Sequence, residues 1–249
     1  MRYIIIAMLS VLIAQESNKE LISFSSANPF SFEEIITDLE NQEAQEVFGI
    51  LTLPKNFNSN QKYPLIIGVA GSLNWSSHHL EYLKMYNEMG FATFQLQSFD
   101  SRDIQSTVGS QTEVTTAMVI LDSYRALEAL SQHPNIDVDK VGITGWSLGG
   151  GVSLYSAWLP LIDAINNRKF MFAAHLPIYP ACMAYPYPAE NMQFSTSPIH
   201  ILIGELDNWV PAAACTELIE KMHASGLPTN IEITIYENAH HSFDKVSAV

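Results

Sequence analysis

Basic side chains are scarce in this chain: 12 lysines and arginines stand against 26 aspartates and glutamates, a net charge of −14. A surface of that sign repels nucleic acid and anionic lipid headgroups, so neither is expected as a partner. The surplus itself serves solubility and names no substrate. Charge of either sign is sparse, at 15% of residues against 47% hydrophobic, which excludes wholesale disorder and supplies a sizeable core. The helical i, i+4 histidine spacing of a zinc site is missing, since His78-His79 and His240-His241 are adjacent pairs, and no metal is called for. Gly149-Gly150-Gly151 lacks the lysine and spacing of a phosphate loop, which weighs against a nucleotide. No cofactor is expected.

The apolar stretch after Arg2 gives way to polar Gln15-Glu16-Ser17, short of the ~18 residues of a spanning helix. It has the make-up of a secretory signal peptide over residues 1–14, although no small-residue cleavage site stands out. Export to a secreted or periplasmic location follows as an expectation, with no membrane association once the signal is cleaved. The only cysteines are Cys182 and Cys215, and an oxidising compartment tends to pair them. Each follows a strand-like run, so they reach one another if those strands are neighbours; two free thiols are the alternative.

At 249 residues the chain suits one large domain. Residues 15–45 read as a surface-packed lead-in, Ser/Asn-rich and then acidic, and residues 46–249 as the domain itself. Within it, the strand at residues 47–53 and a polar turn before Tyr63-Pro64 suggest a hairpin. Apolar strands then alternate with longer helical segments. Strands are expected at residues 64–70, 91–96, 140–144, 170–178, 199–204 and 231–236, and helices at 77–89, 111–132 and 212–225. The fold class is α/β, a mostly parallel central sheet with helices on both faces.

The strand Val141-Gly142-Ile143-Thr144 runs into Gly145-Trp146-Ser147-Leu148-Gly149 and an apolar helix. A G-x-S-x-G turn alone is weak, but between strand and helix it reads as a nucleophile elbow. The flanking glycines relieve the crowded backbone and leave Ser147 at its apex. A serine hydroxyl needs a base to take its proton and a carboxylate to orient that base. In an α/β-hydrolase fold these follow in the order acid, then histidine. Asp207 lies just beyond a strand end, where Glu205 sits too close to the strand; His240 and His241 follow the last strand and cannot be separated on position alone. The oxyanion of acyl attack needs two backbone donors, here the Leu148 amide and that of Ser72 in the loop after residues 64–70, with Leu73 as rival.

Several stretches resemble the dienelactone hydrolase family of α/β-hydrolases: residues 47–54, Ser98-Phe99-Asp100-Ser101-Arg102, residues 141–150, residues 203–211 with Gly204-Glu205-Leu206-Asp207 and Val210-Pro211, and Tyr236 through His241 to Phe243-Asp244. The resemblance assigns the base to His241. It places cysteines at positions like Cys182 and Cys215, and an arginine like Arg102 near the pocket. There its guanidinium would hold a substrate carboxylate, or pair structurally with Asp103 or Glu113. Ser147 stands where the name-giving members carry cysteine, and Ala70-Gly71 where relatives show His-Gly. The expected activity is hydrolysis of a small-molecule ester or lactone through an acyl-enzyme, with Trp75, Trp146, Trp209 and Tyr185 as candidate pocket walls. A peptidase or acyltransferase on the same triad, or a binding protein on the same fold, are the competing readings. Nothing in the sequence fixes the oligomeric state.

Overall fold

The computed structural model describes residues 18–182, 193–228 and 230–245; residues 1–14, expected to be a signal peptide, and Tyr185 lie outside them. Eight strands form one sheet in the order β1-β2-β4-β3-β5-β6-β7-β8. They are β1 Lys19–Ala27, β2 Ala44–Thr52, β3 Tyr63–Val69, β4 Ala92–Leu96, β5 Ile136–Trp146, β6 Ala174–Ile178, β7 Ile199–Gly204 and β8 Ile231–Tyr236. The helices are α1 Phe32–Thr37, α2 Ser77–Glu88, α3 Thr116–Leu130, α4 Leu148–Tyr155, α5 Leu159–Asn166 and α6 Ala212–Ala224. From β4 to β8 all neighbours are parallel, while β1 and β2 are antiparallel additions at one edge. This is the mostly parallel α/β sheet expected from the alternation of strands and helices, in the α/β-hydrolase form that the family resemblance implies.

Burial explains the order. On β3, Leu65, Ile67 and Val69 are buried on one face, while Gly68 on the other lies beneath Leu83 of α2. A strand apolar on both faces belongs in the middle of a covered sheet. The hairpin expected between residues 47–53 and 64–70 is therefore not formed: β4 lies between β2 and β3, bonding antiparallel to the first and parallel to the second. The lead-in is also more regular than its composition suggests. Residues 19–27 pair along the whole of β2, with Phe24 and Ser26 turned inward and the Ser26 hydroxyl donating to Asp122 at 2.6 Å. Helix α3 starts five residues later than its apolar spacing indicates, because the Thr115 side chain accepts the Met118 N–H and caps it there.

His175 on β6 is buried, with its Nδ1 against Ser153 O at 2.8 Å and Ser156 Oγ at 3.2 Å. Burial, partly offset by the bond to Ser153, lowers its pKa from 6.5 to about 4. Between those values the unfolded chain takes up a proton that the folded chain refuses, so stability is complete above about pH 6.5 and falls on acidification toward pH 4, by roughly 3 kcal/mol for this residue. The melting temperature is expected to drop across that window and His175→Gln to flatten the slope. An acid slope unchanged in the variant would contradict this assignment.

Candidate active site

The parallel strands all end on one edge, and three loops there bring Ser147, Asp207 and His241 together. Ser147 follows β5 and occupies the residue before α4 at φ 55°, ψ −111°, a conformation that costs a non-glycine residue energy and persists only where its surroundings enforce it. They do so by close backbone approach: a Cβ on Gly145 would lie 2.3 Å from Gly149 O, and one on Gly149 would lie 2.3 Å from Val69 O. The Ser147 amide is itself bonded to Ile178 O at 3.0 Å, which ties the turn to β6. Leu148 opens α4, so its N–H belongs to the first turn, whose donors have no partner within the helix.

His241 Nε2 stands 3.1 Å from Ser147 Oγ, and its Nδ1 stands 2.7 Å from Asp207 Oδ2. The other Asp207 oxygen accepts the Trp209 and Val210 amides, both at 3.0 Å, so the carboxylate is buried with each oxygen engaged. An acceptor at Nδ1 assigns the ring proton there and leaves the Nε2 lone pair for the serine hydroxyl. His240, its neighbour, is exposed and turns Nδ1 to Leu206 O at 3.1 Å. The geometry thus separates two histidines that position in the chain does not.

Ser72 lies in the turn Gly71–Asn74, closed by the bond from Asn74 N to Gly71 O. A Cβ on Gly71 would meet Trp146 O at 3.2 Å and Ser147 Cβ at 3.7 Å, so glycine lets this turn approach the elbow. The Ser72 carbonyl accepts Thr107 N, and the Ser72 hydroxyl accepts Gln111 Nε2, while the Leu73 side chain is exposed.

The tryptophans divide. Trp146, the last residue of β5, is fully buried. It stacks on His79 at 4.4 Å and donates Nε1 to Asp244 at 3.0 Å, so it is core rather than pocket wall. Trp75 is half-buried and bonds to Leu96 O. Trp209 lies nearly parallel to the His241 ring at 5.1 Å with 66% of its surface exposed. The buried Asp244, with no role in the sequence reading beyond a motif match, also accepts Tyr179 OH at 2.9 Å, and the Tyr179 ring packs edge-on to His241 at 4.7 Å. His79 stays neutral, because burial, then His78 and Lys245, push it to about 3.

Arg102 is not at the pocket as the resemblance implied. Its Nε donates to Asn28 Oδ1 at 2.8 Å, Nη1 to Ser98 O and to Asp122 Oδ2 at 2.9 and 2.7 Å, and Nη2 to Asp122 Oδ1 and Ala27 O at 3.1 and 3.3 Å. All five guanidinium donors are used. The partner is neither Asp103 nor Glu113 but Asp122, a carboxylate inside the apolar run of α3 that could have signalled a buried ion pair. Cys182 and Cys215 form the disulfide that export predicts, with 4.9 Å between Cα atoms.

The dienelactone hydrolase family profile matches residues 84–248. The chain belongs to the dienelactone hydrolase family. A Bradyrhizobium relative named as a 2-oxo-3-(5-oxofuran-2-ylidene)propanoate lactonase is 27% identical over 126 residues, which cover 50% of this chain and 48% of that protein. The chain thus matches about half the length of this curated relative. Among solved structures, one described as a dienelactone hydrolase from Klebsiella pneumoniae superposes with a TM-score of 0.62 at 17% identity, covering 90% of this chain and 88% of that one. Esterase 2 of Thermogutta terrifontis, phosphorylated by paraoxon, gives 0.64 at 16% identity, covering 91% and 85%. At such identities these structures establish the fold that this dienelactone hydrolase family member shares with them.

Removing Arg102 would leave Asp122 buried and unpaired, which costs about 3–5 kcal/mol. Arg102→Met is expected to lower the urea midpoint by a corresponding amount, and Arg102→Met with Asp122→Leu to recover most of it. An Arg102→Met protein as stable as the parent would overturn the reading of Arg102 as a structural pair.

Proposed function

We propose that this protein is a serine hydrolase that cleaves a carboxylic ester or lactone through an acyl-enzyme on Ser147. The observation that carries the reading is the continuous hydrogen-bond path from Ser147 Oγ through the His241 imidazole to Asp207. His241 Nε2 takes the hydroxyl proton as Oγ attacks the substrate carbonyl carbon, and Asp207 holds the ring and offsets the imidazolium that forms. The Leu148 and Ser72 amides are the donors assigned to the oxyanion. Collapse of the tetrahedral intermediate breaks the carbonyl–oxygen bond, and His241 returns its proton to the leaving alkoxide. In a lactone that alkoxide stays tethered to the acyl group. Water then attacks the acyl-enzyme, His241 takes its proton and gives it to Ser147, and the acid is released.

Family membership and the lactonase name of the Bradyrhizobium relative support the reaction class. Structures of the Thermogutta esterase phosphorylated by paraoxon and with butyrate bound lend further support. The Cys182–Cys215 bridge supports the oxidising, exported location expected from residues 1–14.

Hydrolysis of 4-nitrophenyl acetate and butyrate by the purified protein is the test. Turnover is expected to fall by about a thousandfold or more in Ser147→Ala and in His241→Ala, with His240→Ala close to the parent. Turnover that survives Ser147→Ala in a folded protein would overturn the proposal.

A further inference from the structure

Resting on the hydrolase reading, we infer that the site selects uncharged substrates with an apolar or aryl group beside the scissile bond, and discriminates against those that carry a carboxylate. The first observation is the locked guanidinium. Arg102 spends every donor on Asp122, Asn28, Ser98 and Ala27, so a substrate carboxylate could recruit it only by leaving Asp122 unpaired in the core. Each arginine among the described residues is in an ion pair, the other two being Arg125 with Glu128 and Arg168 with Asp163. Lys245, four residues past His241, is exposed, and its charge disfavours protonation of His78 and His79.

The second observation is what the loops around the serine present instead. Trp209 lies over the His241 ring with most of its surface open, and Leu73, on the turn that carries Ser72, is 69% exposed. Val108 and Leu206 are exposed on the adjoining loops. Large exposed side chains on the loops beside a site supply apolar contact area rather than charge recognition. Trp209, held flat against the base, offers an aryl or acyl group a rigid face.

The third is the sign of the nearby charges. Exposed Asp100 receives Asn74 Nδ2 at 2.7 Å and so braces the Ser72 turn, and exposed Glu205 receives Asn238 N at 2.9 Å and braces the loop leading to His241. The two loops that frame the serine are each held by a carboxylate. An anionic substrate would meet like charge there, a repulsion that salt screens.

The test compares 4-carbamoylphenyl butyrate with 4-carboxyphenyl butyrate, two esters of the same shape that differ in charge. The neutral ester is expected to have the higher kcat/KM by about tenfold or more at low salt, with the ratio narrowing as ionic strength rises. Equal rates, or a preference for the carboxylate, would overturn the inference. Failure of the protein to hydrolyse either ester would count against the hydrolase reading instead. Binding of the two esters to Ser147→Ala, read from tryptophan fluorescence, then still decides this one: tighter binding of the carbamoyl ester supports it, and equal or weaker binding overturns it.

Discussion

The site depends on one backbone constraint, the near-contact of Gly145 with Gly149 and of Gly149 with the Val69 carbonyl. At these positions a single methyl group would lie 2.3 Å from the opposing oxygen. That closeness lets β5 turn straight into α4 and holds Ser147 at a positive φ, so that its side chain leaves the sheet edge instead of packing against it. Through the amide bond to Ile178 O the same turn is tied to β6. Beyond Ile178, Tyr179 reaches His241 and the chain runs on to the bridged Cys182. Ser147 and His241 are thus both tied to the same short stretch of backbone, residues 178–182.

Buried carboxylates are the second organising theme, in a chain with few charges to spare. Asp122 is held by Arg102 and Ser26 and joins β1, α3 and the segment after β4. Asp244 is held by Trp146 and Tyr179 and joins the strand before the serine to the loop carrying His241. Asp207 is held by two amides and His241. Only Asp207 touches the group proposed to move a proton. A buried carboxylate without such donors costs several kcal/mol, so each of these sets fixes its surroundings into one arrangement.

Much of this is legible in the chain, for physical reasons. The strands at residues 199–204 and 231–236 have the expected limits because each is a short β-branched run with turn residues on both sides. The elbow is legible because its glycines are sterically required. Other features depend on contacts distant in sequence. Strand β1 is half serine and charged residues, and its pairing with β2 and the Ser26–Asp122 bond define it. The place of β4 between β2 and β3 is a property of the whole sheet. The partner of Arg102 is not legible locally, because it lies 20 residues further on, in a helix. Trp146, a candidate pocket wall by its place beside Ser147, is core because it stacks on His79 and bonds to Asp244, contacts distant in sequence.

The central claim is that Ser147, His241 and Asp207 act as one unit, and covalent labelling by a fluorophosphonate tests it most directly. The account predicts a single adduct, located on Ser147 by peptide mass spectrometry, whose formation is retained in His240→Ala and slowed severely in His241→Ala and Asp207→Asn. A protein that is folded yet unlabelled, or labelled at a rate that depends on His240 and not on His241, would contradict it.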